Sequence, residues 1–343
     1  MARTVPPTEL PLEELGVSRP TRPGGRAGVA VLVALVLLAV FVRLLGTGEL
    51  PWLSNLLLIF SSLLLQAFPF VLLGAVVSAA IEVFATASVF ARLVAIPRGF
   101  RLPAAGFAGL AFPVCECGSV PVARRLAVKG LQSSAAVTFM LAASIFNPIV
   151  ILSTAVAYRG RENMLLMVLG RASLGLAVAI IAGWIIGDRA KEHFLRNVEP
   201  DHHTEGAGGR SRPAEFFVHF AADALFMGRY LVLGALGAAL IQTFVPQSVI
   251  GSVSSTPVLD LVAMMALAGV LSLCSESDAF VAASFVQFGP AAQLAFLVFG
   301  PLFNMKLGAL YAGTFSKGFV RTMLVVVASA TFAGTLWIEA FVR

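Results

Sequence analysis

The chain has 343 residues, of which 58% are hydrophobic and 12% are charged, and its mean hydropathy is +0.91. Soluble globular proteins contain about 25% charged residues, so this composition excludes a soluble enzyme. It also excludes a disordered protein or a nucleic-acid binder, because the 24 Lys and Arg residues stand between long apolar runs. The 3 cysteines are too few, and odd in number, for a disulfide scaffold.

Apolar stretches long enough to cross a bilayer follow a polar, Pro-rich start. A helix needs about 20 mostly apolar residues to cross a hydrocarbon core of about 30 Å. Residues 1–28 are interpreted as a disordered cytoplasmic tail, and residues 29–45 as an uncleaved first transmembrane helix. Nine stretches qualify by length or come close: 29–45, 53–84, 103–122, 133–157, 164–187, 214–245, 257–288, 290–315 and 320–341.

Positive charge predicts which of these stretches cross the membrane. If all nine crossed, eight basic residues would lie outside, against the positive-inside rule. These residues are Arg124, Arg125, Lys129, Arg189, Lys191, Arg196, Arg210 and Arg212. All eight return to the cytoplasm if 103–122 and 257–288 are re-entrant hairpins, and polar residues interrupt both stretches. The pattern therefore predicts seven spans and two hairpins, with the N-terminus cytoplasmic and the C-terminus outside.

An ordered series of matches indicates an internal duplication. Gly74 falls on Gly234 at an offset of 160 residues, and with a few residues slipped Asn147 falls on Asn304. Each half then has three spans and one broken re-entrant hairpin, and the odd number of spans inverts the second half. The predicted fold is an all-α polytopic membrane protein with an inverted internal repeat. Its parts are the extra N-terminal helix at 29–45, a first repeat at 52–187, a cytoplasmic linker at 188–213 and a second repeat at 214–343.

Both predicted hairpins carry reactive side chains at their centres. Residues 113–121 combine thiols, a carboxylate, a glycine and prolines: Pro113, Cys115, Glu116, Cys117, Gly118 and Pro121. Because proline removes backbone donors and glycine permits unusual conformations, we expect a turn held inside the membrane there. The second hairpin brings a third thiol and two carboxylates: Cys274, Ser275, Glu276, Ser277 and Asp278. All 3 cysteines thus map to one expected site near the bilayer midplane, formed from 113–121 and 272–280.

The thiols favour a soft cargo. A lone buried cysteine is usually a small hydrophobe, but Cys115, Cys117 and Cys274 around one cavity suit a trivalent metalloid or a soft metal ion in transit. Ser275 and Ser277 are further candidate substrate contacts. A redox alternative stays open, in which Cys115 and Cys117 form a strained disulfide. No permanent metal and no cofactor are expected, and no nucleotide-binding motif is present.

Ionisable residues within apolar stretches normally face a cavity, form pairs or relay protons. Glu116, Glu276 and Asp278 are candidates to couple transport to a proton gradient, and Lys306 is placed to pair with one of them. The alternative is a structural ion pair, considered above all for Asp278 with Lys306. Three other ionisable residues are interpreted as structural: Arg171, Asp223 and Arg229.

Amide side chains stand at matching points after each hairpin. Asn147, which precedes Pro148, and Asn304 need partners inside a bilayer. Either they contact the substrate, or they satisfy backbone groups freed at the hairpin tips. The sequence leaves both interpretations open.

Four motifs resemble those of the ArsP-type permeases, a family of predicted bacterial inner-membrane transporters that includes organoarsenical efflux permeases. They are Cys-x-Cys-Gly-x-x-Pro at 115–121, Phe-Asn-Pro at 146–148, Cys-Ser-Glu-Ser-Asp-Ala-Phe at 274–280 and Gly-Pro-Leu-Phe-Asn-Met-Lys at 300–306. The resemblance covers about residues 52–341. It implies export of methylarsenite and reduced aromatic arsenicals. Relatives can carry Cys-Ser-Cys where this chain has Glu116 between its thiols, which changes the expected ligand set.

The resulting prediction is a secondary-active, proton-coupled efflux permease of the bacterial inner membrane rather than an enzyme. Its expected partners are a trivalent arsenical substrate and membrane lipid, without nucleic acid, and homo-oligomerisation is left open. One alternative is a permease for another soft-metal or sulfur-containing solute. The other is a membrane thiol oxidoreductase that uses Cys115 and Cys117.

Overall fold

The computed structural model describes residues 51–84, 97–111, 114–187, 212–244 and 257–342. The predicted tail at 1–28, the predicted helix at 29–45, Pro113 and linker residues 188–211 lie outside these ranges. The described residues are mostly helical and contain no β-strand. The predicted all-helical class is therefore confirmed for this part of the chain.

Twelve helices make up the described ranges, in two series of six. The first series is α1 (Pro51–Phe84), α2 (Arg98–Ala111), α3 (Glu116–Val128), α4 (Ser133–Ile145), α5 (Pro148–Ala157) and α6 (Met164–Gly187). The second series is α7 (Arg212–Phe244), α8 (Pro257–Leu271), α9 (Asp278–Ser284), α10 (Pro290–Leu302), α11 (Met305–Thr314) and α12 (Lys317–Val342). Each series has a long helix, two shorter helices, a span broken into two helices and a final long helix, the order expected of an internal repeat.

Six helical segments among the described residues are long and apolar enough to cross a membrane. They are α1, α4 with α5, α6, α7, α10 with α11, and α12. These segments match six of the seven predicted spans, and the seventh lies outside the described residues. The two predicted hairpin stretches are each split into short helices, α2 and α3 in the first half and α8 and α9 in the second.

Two of the six spans are broken near their middle, which was not predicted from the sequence. Asn147 is extended and its side-chain oxygen accepts a hydrogen bond from the Ile149 N–H at 2.9 Å, so it caps α5. Pro148 reinforces the break, because the residue before a proline avoids helical geometry. Asn304 caps α11 in the same way, accepting from the Leu307 N–H at 2.9 Å.

The broken spans lie inside the protein. Most residues of α4–α5 and α10–α11 are buried, whereas most residues of the other four spans are only partly buried or exposed. The exposed side chains of those outer helices include large apolar groups such as Leu65, Trp184 and Leu233, which suit contact with lipid. Non-helical backbone at membrane depth requires shielding by protein, so the two breaks stand where it can be tolerated.

The prediction of a turn over 113–121 is wrong for its second part, because α3 begins at Glu116 and includes Gly118 and Pro121. Gly118 is helical, and its missing side chain allows α3 to pack closely against α1. It lies against Gly74 of α1, where a Cβ added to Gly118 would stand 3.0 Å from the Gly74 Cα. Small residues of this kind allow membrane helices to approach closely. Pro121 lies in the second turn of α3, where it lacks the N–H that would bond the Cys117 carbonyl.

Candidate functional site

The segments at 114–118 and 272–278, here called the first tip and the second tip, meet around the carboxylate of Glu116. Ser275, from the second tip, donates to Glu116 Oε2 through its Oγ at 2.9 Å and its backbone N–H at 3.4 Å. The Lys306 ammonium, at the start of α11, lies 3.5 Å from Glu116 Oε1. Glu116 is completely buried. Residues from the two halves of the chain therefore share one carboxylate in the interior.

A second buried ion pair holds the other tip. Arg171 of α6 donates from Nη2 to Asp278 Oδ2 at 2.7 Å and to the Ser275 carbonyl at 3.0 Å, and from Nη1 to Thr154 Oγ1 at 2.9 Å. Both charged side chains are at least 97% buried. Buried charges need this combination of pairing and hydrogen bonds. Asp278 thus pairs with Arg171, and Lys306 pairs with Glu116, in place of the Asp278–Lys306 pair considered from the sequence.

The 3 cysteines are buried, unbridged and gathered at this cluster. The Lys306 Nζ lies 3.5 Å from the Cys274 Sγ, and the Cys115 and Cys117 thiols lie within hydrogen-bonding reach of each other. Cys115 is the N-cap of α3, and Cys117 lies in its first turn. The expected convergence of 113–121 and 272–280 is therefore present for their described residues.

The thiols do not form a ready-made metal site. Within the ranges that the structure describes, no group of three or more His, Cys, Asp or Glu side chains is arranged to hold a metal ion.

Two further residues of the second tip, Glu276 and Ser277, directly precede Asp278 of the Arg171 ion pair. Ser277 donates to the Cys274 carbonyl at 3.1 Å and accepts from Gln66 Nε2 at 2.9 Å. Gln66 belongs to α1 and was not predicted as a site residue, although an amide within an apolar span is the signal that could have found it. Glu276 Oε2 is buried and has no hydrogen-bond partner among the described residues.

The two asparagines at the breaks are engaged with backbone. Besides capping α5, Asn147 donates to the Val114 carbonyl at 3.3 Å and so ties the first break to the first hairpin tip. Asn304 donates to the Gly300 carbonyl at 2.9 Å in addition to capping α11. In this conformation both side chains satisfy backbone groups, the second of the two interpretations drawn from the sequence.

A separate charged network lies at the far end of α3. Arg125 contacts Glu82 at 2.9 Å and Asp223 at 3.0 Å, and it donates to Ser78 Oγ at 2.9 Å. Lys129 donates to the Glu82 carbonyl at 2.8 Å. The network joins α3 to both long helices, α1 and α7. Asp223 thus lies within this network, where it pairs with Arg125 and accepts from Ser78 Oγ at 2.7 Å.

Comparison with known proteins identifies relatives over most of the chain. A family model described as ArsP_1, predicted permease, matches residues 52–339. The UPF0718 protein YcgR of Bacillus subtilis (strain 168) is 38% identical over 284 residues, which are 82% of this chain and 96% of that protein. A Streptococcus mutans serotype c protein named "Putative two-component membrane permease complex subunit" is 35% identical over 268 residues, 77% of this chain and 88% of that protein. No solved structure matches significantly.

Proposed function

The chain belongs to the ArsP_1 family of predicted permeases, and from that premise we propose that it is a secondary-active efflux permease for a small, thiol-reactive solute. Trivalent organoarsenicals, namely methylarsenite and reduced aromatic arsenicals, are the proposed cargo. The chain is a multi-pass membrane protein with six described segments of spanning length. A permease needs a polar site within such a bundle.

One observation carries the proposal: three thiols, three carboxylates and two cations converge at the hairpin tips. Intramembrane ionisable groups are costly and are normally retained for binding or for relay. In many secondary transporters the substrate site lies near the midplane, where discontinuous helices meet. The starts of α3 and α11, both set by breaks in helical structure, meet here through Glu116 and Lys306.

The proposed arsenical chemistry needs no oxidant or cofactor. Two thiols displace the two hydroxyls of methylarsenite, so two As–O bonds break and two As–S bonds form. Each thiol proton leaves in a water molecule, and arsenic stays trivalent. Cys115 and Cys117 are the proposed first pair, and Cys274 is the proposed exchange partner. A closed set of three thiolates would hold the cargo too tightly for release.

The proposal includes the inverted arrangement of the two halves, with α2–α3 and α8–α9 entering from opposite faces. The matching order of helices in the two series supports it. So does the positive charge, because Arg125 and Lys129 at the end of α3 then face the cytoplasm. Alternating access would follow from one half rocking against the other around the shared cluster.

Proton coupling is proposed to depend on Glu276. Glu116 and Asp278 are each held by a cation at 3.5 Å or less, whereas Glu276 Oε2 has no partner among the described residues. Glu276→Gln should therefore leave methylarsenite binding intact but remove the response of transport to a pH gradient. Unchanged gradient dependence in this variant would assign the proton role to another residue.

The name of the Streptococcus mutans relative adds a partner to the proposal. That protein is named as a subunit of a two-component membrane permease complex, and we propose that this chain also works with a second membrane subunit. Mild-detergent purification of the tagged chain from its native membrane should retain that subunit in a fixed ratio. A chain that runs alone and transports fully after reconstitution would contradict this part.

A thiol oxidoreductase is the second candidate function, and the closeness of the Cys115 and Cys117 thiols favours it. It predicts that the two cysteines cycle between thiol and disulfide during turnover without net movement of solute. Trapping with an alkylating reagent during turnover would detect that cycle.

Everted membrane vesicles provide the deciding experiment. Uptake of methylarsenite, inorganic arsenite and another permeant thiol-reactive solute should be measured with the proton gradient present and then collapsed. The proposal predicts gradient-dependent uptake of methylarsenite above that of vesicles without the protein. No uptake of methylarsenite under either condition would overturn the arsenical assignment.

A further inference from the structure

The ammonium of Lys306 lies inside the thiol cluster. Its Nζ is 3.5 Å from the Cys274 Sγ and 3.5 Å from Glu116 Oε1. The side chain is 99% buried. A soft solute bound by Cys274 would therefore stand next to a fixed positive charge.

The backbone around Lys306 is held firmly in place. Asn304 caps the first turn of α11 through the Leu307 N–H at 2.9 Å. On the other side, Gly234 of α7 packs so closely that an added Cβ would lie 2.7 Å from the Lys306 Cα. The backbone is held from two sides and the side chain is buried, so the ammonium has little room to move away from the thiols.

When Glu276 carries the proton that the proposed coupling assigns to it, the cluster holds two carboxylates, Glu116 and Asp278, against two cations, Lys306 and Arg171. No net negative charge then attracts an incoming cation. Glu116 Oε1 already pairs with the Lys306 ammonium, and Glu116 Oε2 accepts a hydrogen bond from the Ser275 hydroxyl. A metal cation would have to displace those contacts or bind beside an ammonium, where like charges repel strongly because little water screens them. A neutral trivalent arsenical brings no charge and exchanges only hydroxyls for thiols.

We propose that Lys306 sets the charge selectivity of the site: its buried ammonium excludes soft metal cations and admits neutral thiol-reactive solutes. This inference rests on the proposed function and specifies its substrate class. It removes the soft-metal alternative for the wild-type chain. It also makes Lys306 a selectivity residue rather than only the partner of Glu116.

Equilibrium binding of Cd²⁺ to the purified full chain in detergent tests the proposal through a series of charge variants. K306M should raise Cd²⁺ affinity at least about tenfold, because it removes the repulsion and leaves the Glu116 carboxylate. E116Q should lower the affinity below that of wild type. Lys317→Met is the matched control, since Lys317 is exposed at the start of α12, and it should bind Cd²⁺ as wild type does.

The double variant E116Q/K306M keeps the test valid if K306M fails to fold. It removes both buried charges, so no unpaired carboxylate remains. It should bind Cd²⁺ more tightly than wild type but less tightly than K306M. Equal Cd²⁺ affinity, within about twofold, in wild type and in every folded Lys306 variant would overturn the proposal.

Methylarsenite binding to the same samples separates this inference from the proposed function. If wild type binds methylarsenite and the Cd²⁺ series is flat, the role of Lys306 is wrong and the permease proposal stands. If the Cd²⁺ series follows the charges and wild type binds no methylarsenite, cation exclusion stands and the arsenical assignment fails.

Discussion

The first and second tips stand at the same place in the order of helices of the two series but differ in chemistry. The first tip supplies two thiols around Glu116 and is buried throughout, with Cys115 and Cys117 no more than 2% exposed. The second tip supplies one thiol, two hydroxyls and two carboxylates. The first tip offers sulfur donors. The second tip is polar and is joined to the first by the hydrogen bond from Ser275 Oγ to Glu116.

One carboxylate of each tip is paired with a cation from the opposite half. Lys306 of the second half pairs with Glu116, and Arg171 of the first half pairs with Asp278. Neither cation has a counterpart in the repeat. Aligning Asn147 with Asn304, an offset of 304 − 147 = 157, places Lys306 on Ile149. Aligning Trp184 with Trp337, an offset of 337 − 184 = 153, places Arg171 on Leu324.

The two series therefore share their order of helices and breaks. They do not share the cations that pair with the tips. Because both ion pairs of the cluster cross between halves, the cluster requires both halves to be packed together.

The largest expected effect is the loss of the soft-donor tip. Changing Cys115→Ser and Cys117→Ser together should abolish methylarsenite uptake by everted vesicles at unchanged protein level, since oxygen donors bind trivalent arsenic far more weakly. Cys274→Ser is the matched control at the other tip, and it should slow uptake without abolishing it. Full transport by the double variant would show that the first tip is not the cargo ligand.

Removing the cation of the second tip should have the largest effect on stability. Arg171→Met leaves Asp278 charged and unpaired in the interior, a change that costs about 3–5 kcal/mol for buried pairs. Thermal unfolding in detergent measures it. The double variant Arg171→Met with Asp278→Asn removes both charges and should recover most of the loss. A stable single variant would mean that water reaches Asp278.

Close packing of the first tip against α1 provides a smaller test. Gly74→Ala places a Cβ against the Gly118 Cα, and this overpacking should cost about 1–3 kcal/mol. Gly237→Ala on α7 is the control, because the nearest atom to its Cβ is the flexible Met305 Cε at 3.5 Å. The same thermal unfolding assay compares them. Equal stability of the two variants would contradict the close contact between α1 and α3.

The charged network at the end of α3 should contribute least. Arg125→Gln breaks contacts to Glu82 and Asp223 that are only partly buried, so we expect a loss of about 1 kcal/mol. Arg124→Gln is the neighbouring control, since Arg124 lies over the Phe226 ring, and it should cost less. The melting temperatures of the two variants in low salt compare these two losses of stability.

Six of the spans predicted from the sequence are confirmed, because apolar length depends only on local composition. The duplication and the roles of the site residues stay predictions, although the cysteines lie in the two segments that meet at Glu116. The ion-pair partners could not be predicted, because Arg171 lies 107 residues from Asp278 and only packing brings them together. The broken spans were missed although Asn147 precedes Pro148, since the apolar run on either side is long enough for one continuous helix.

The turn expected over 113–121 shows a different limit. Glycine and proline both weaken helices on average, and that average predicted a loop. Gly118 is helical because its missing side chain lets α3 lie against Gly74. A residue's intrinsic preference gave way here to a tertiary contact that the local sequence does not encode.

The measurement that tests the account most directly is the mass of the purified chain after incubation with methylarsenite. We predict one bound arsenical for each wild-type chain, with a mass increase that corresponds to methylarsenite minus two water molecules. The Cys115→Ser and Cys117→Ser double variant should show no such adduct. Absence of the adduct in wild type, or the same adduct in the double variant, would contradict the assignment of the first hairpin tip as the cargo site.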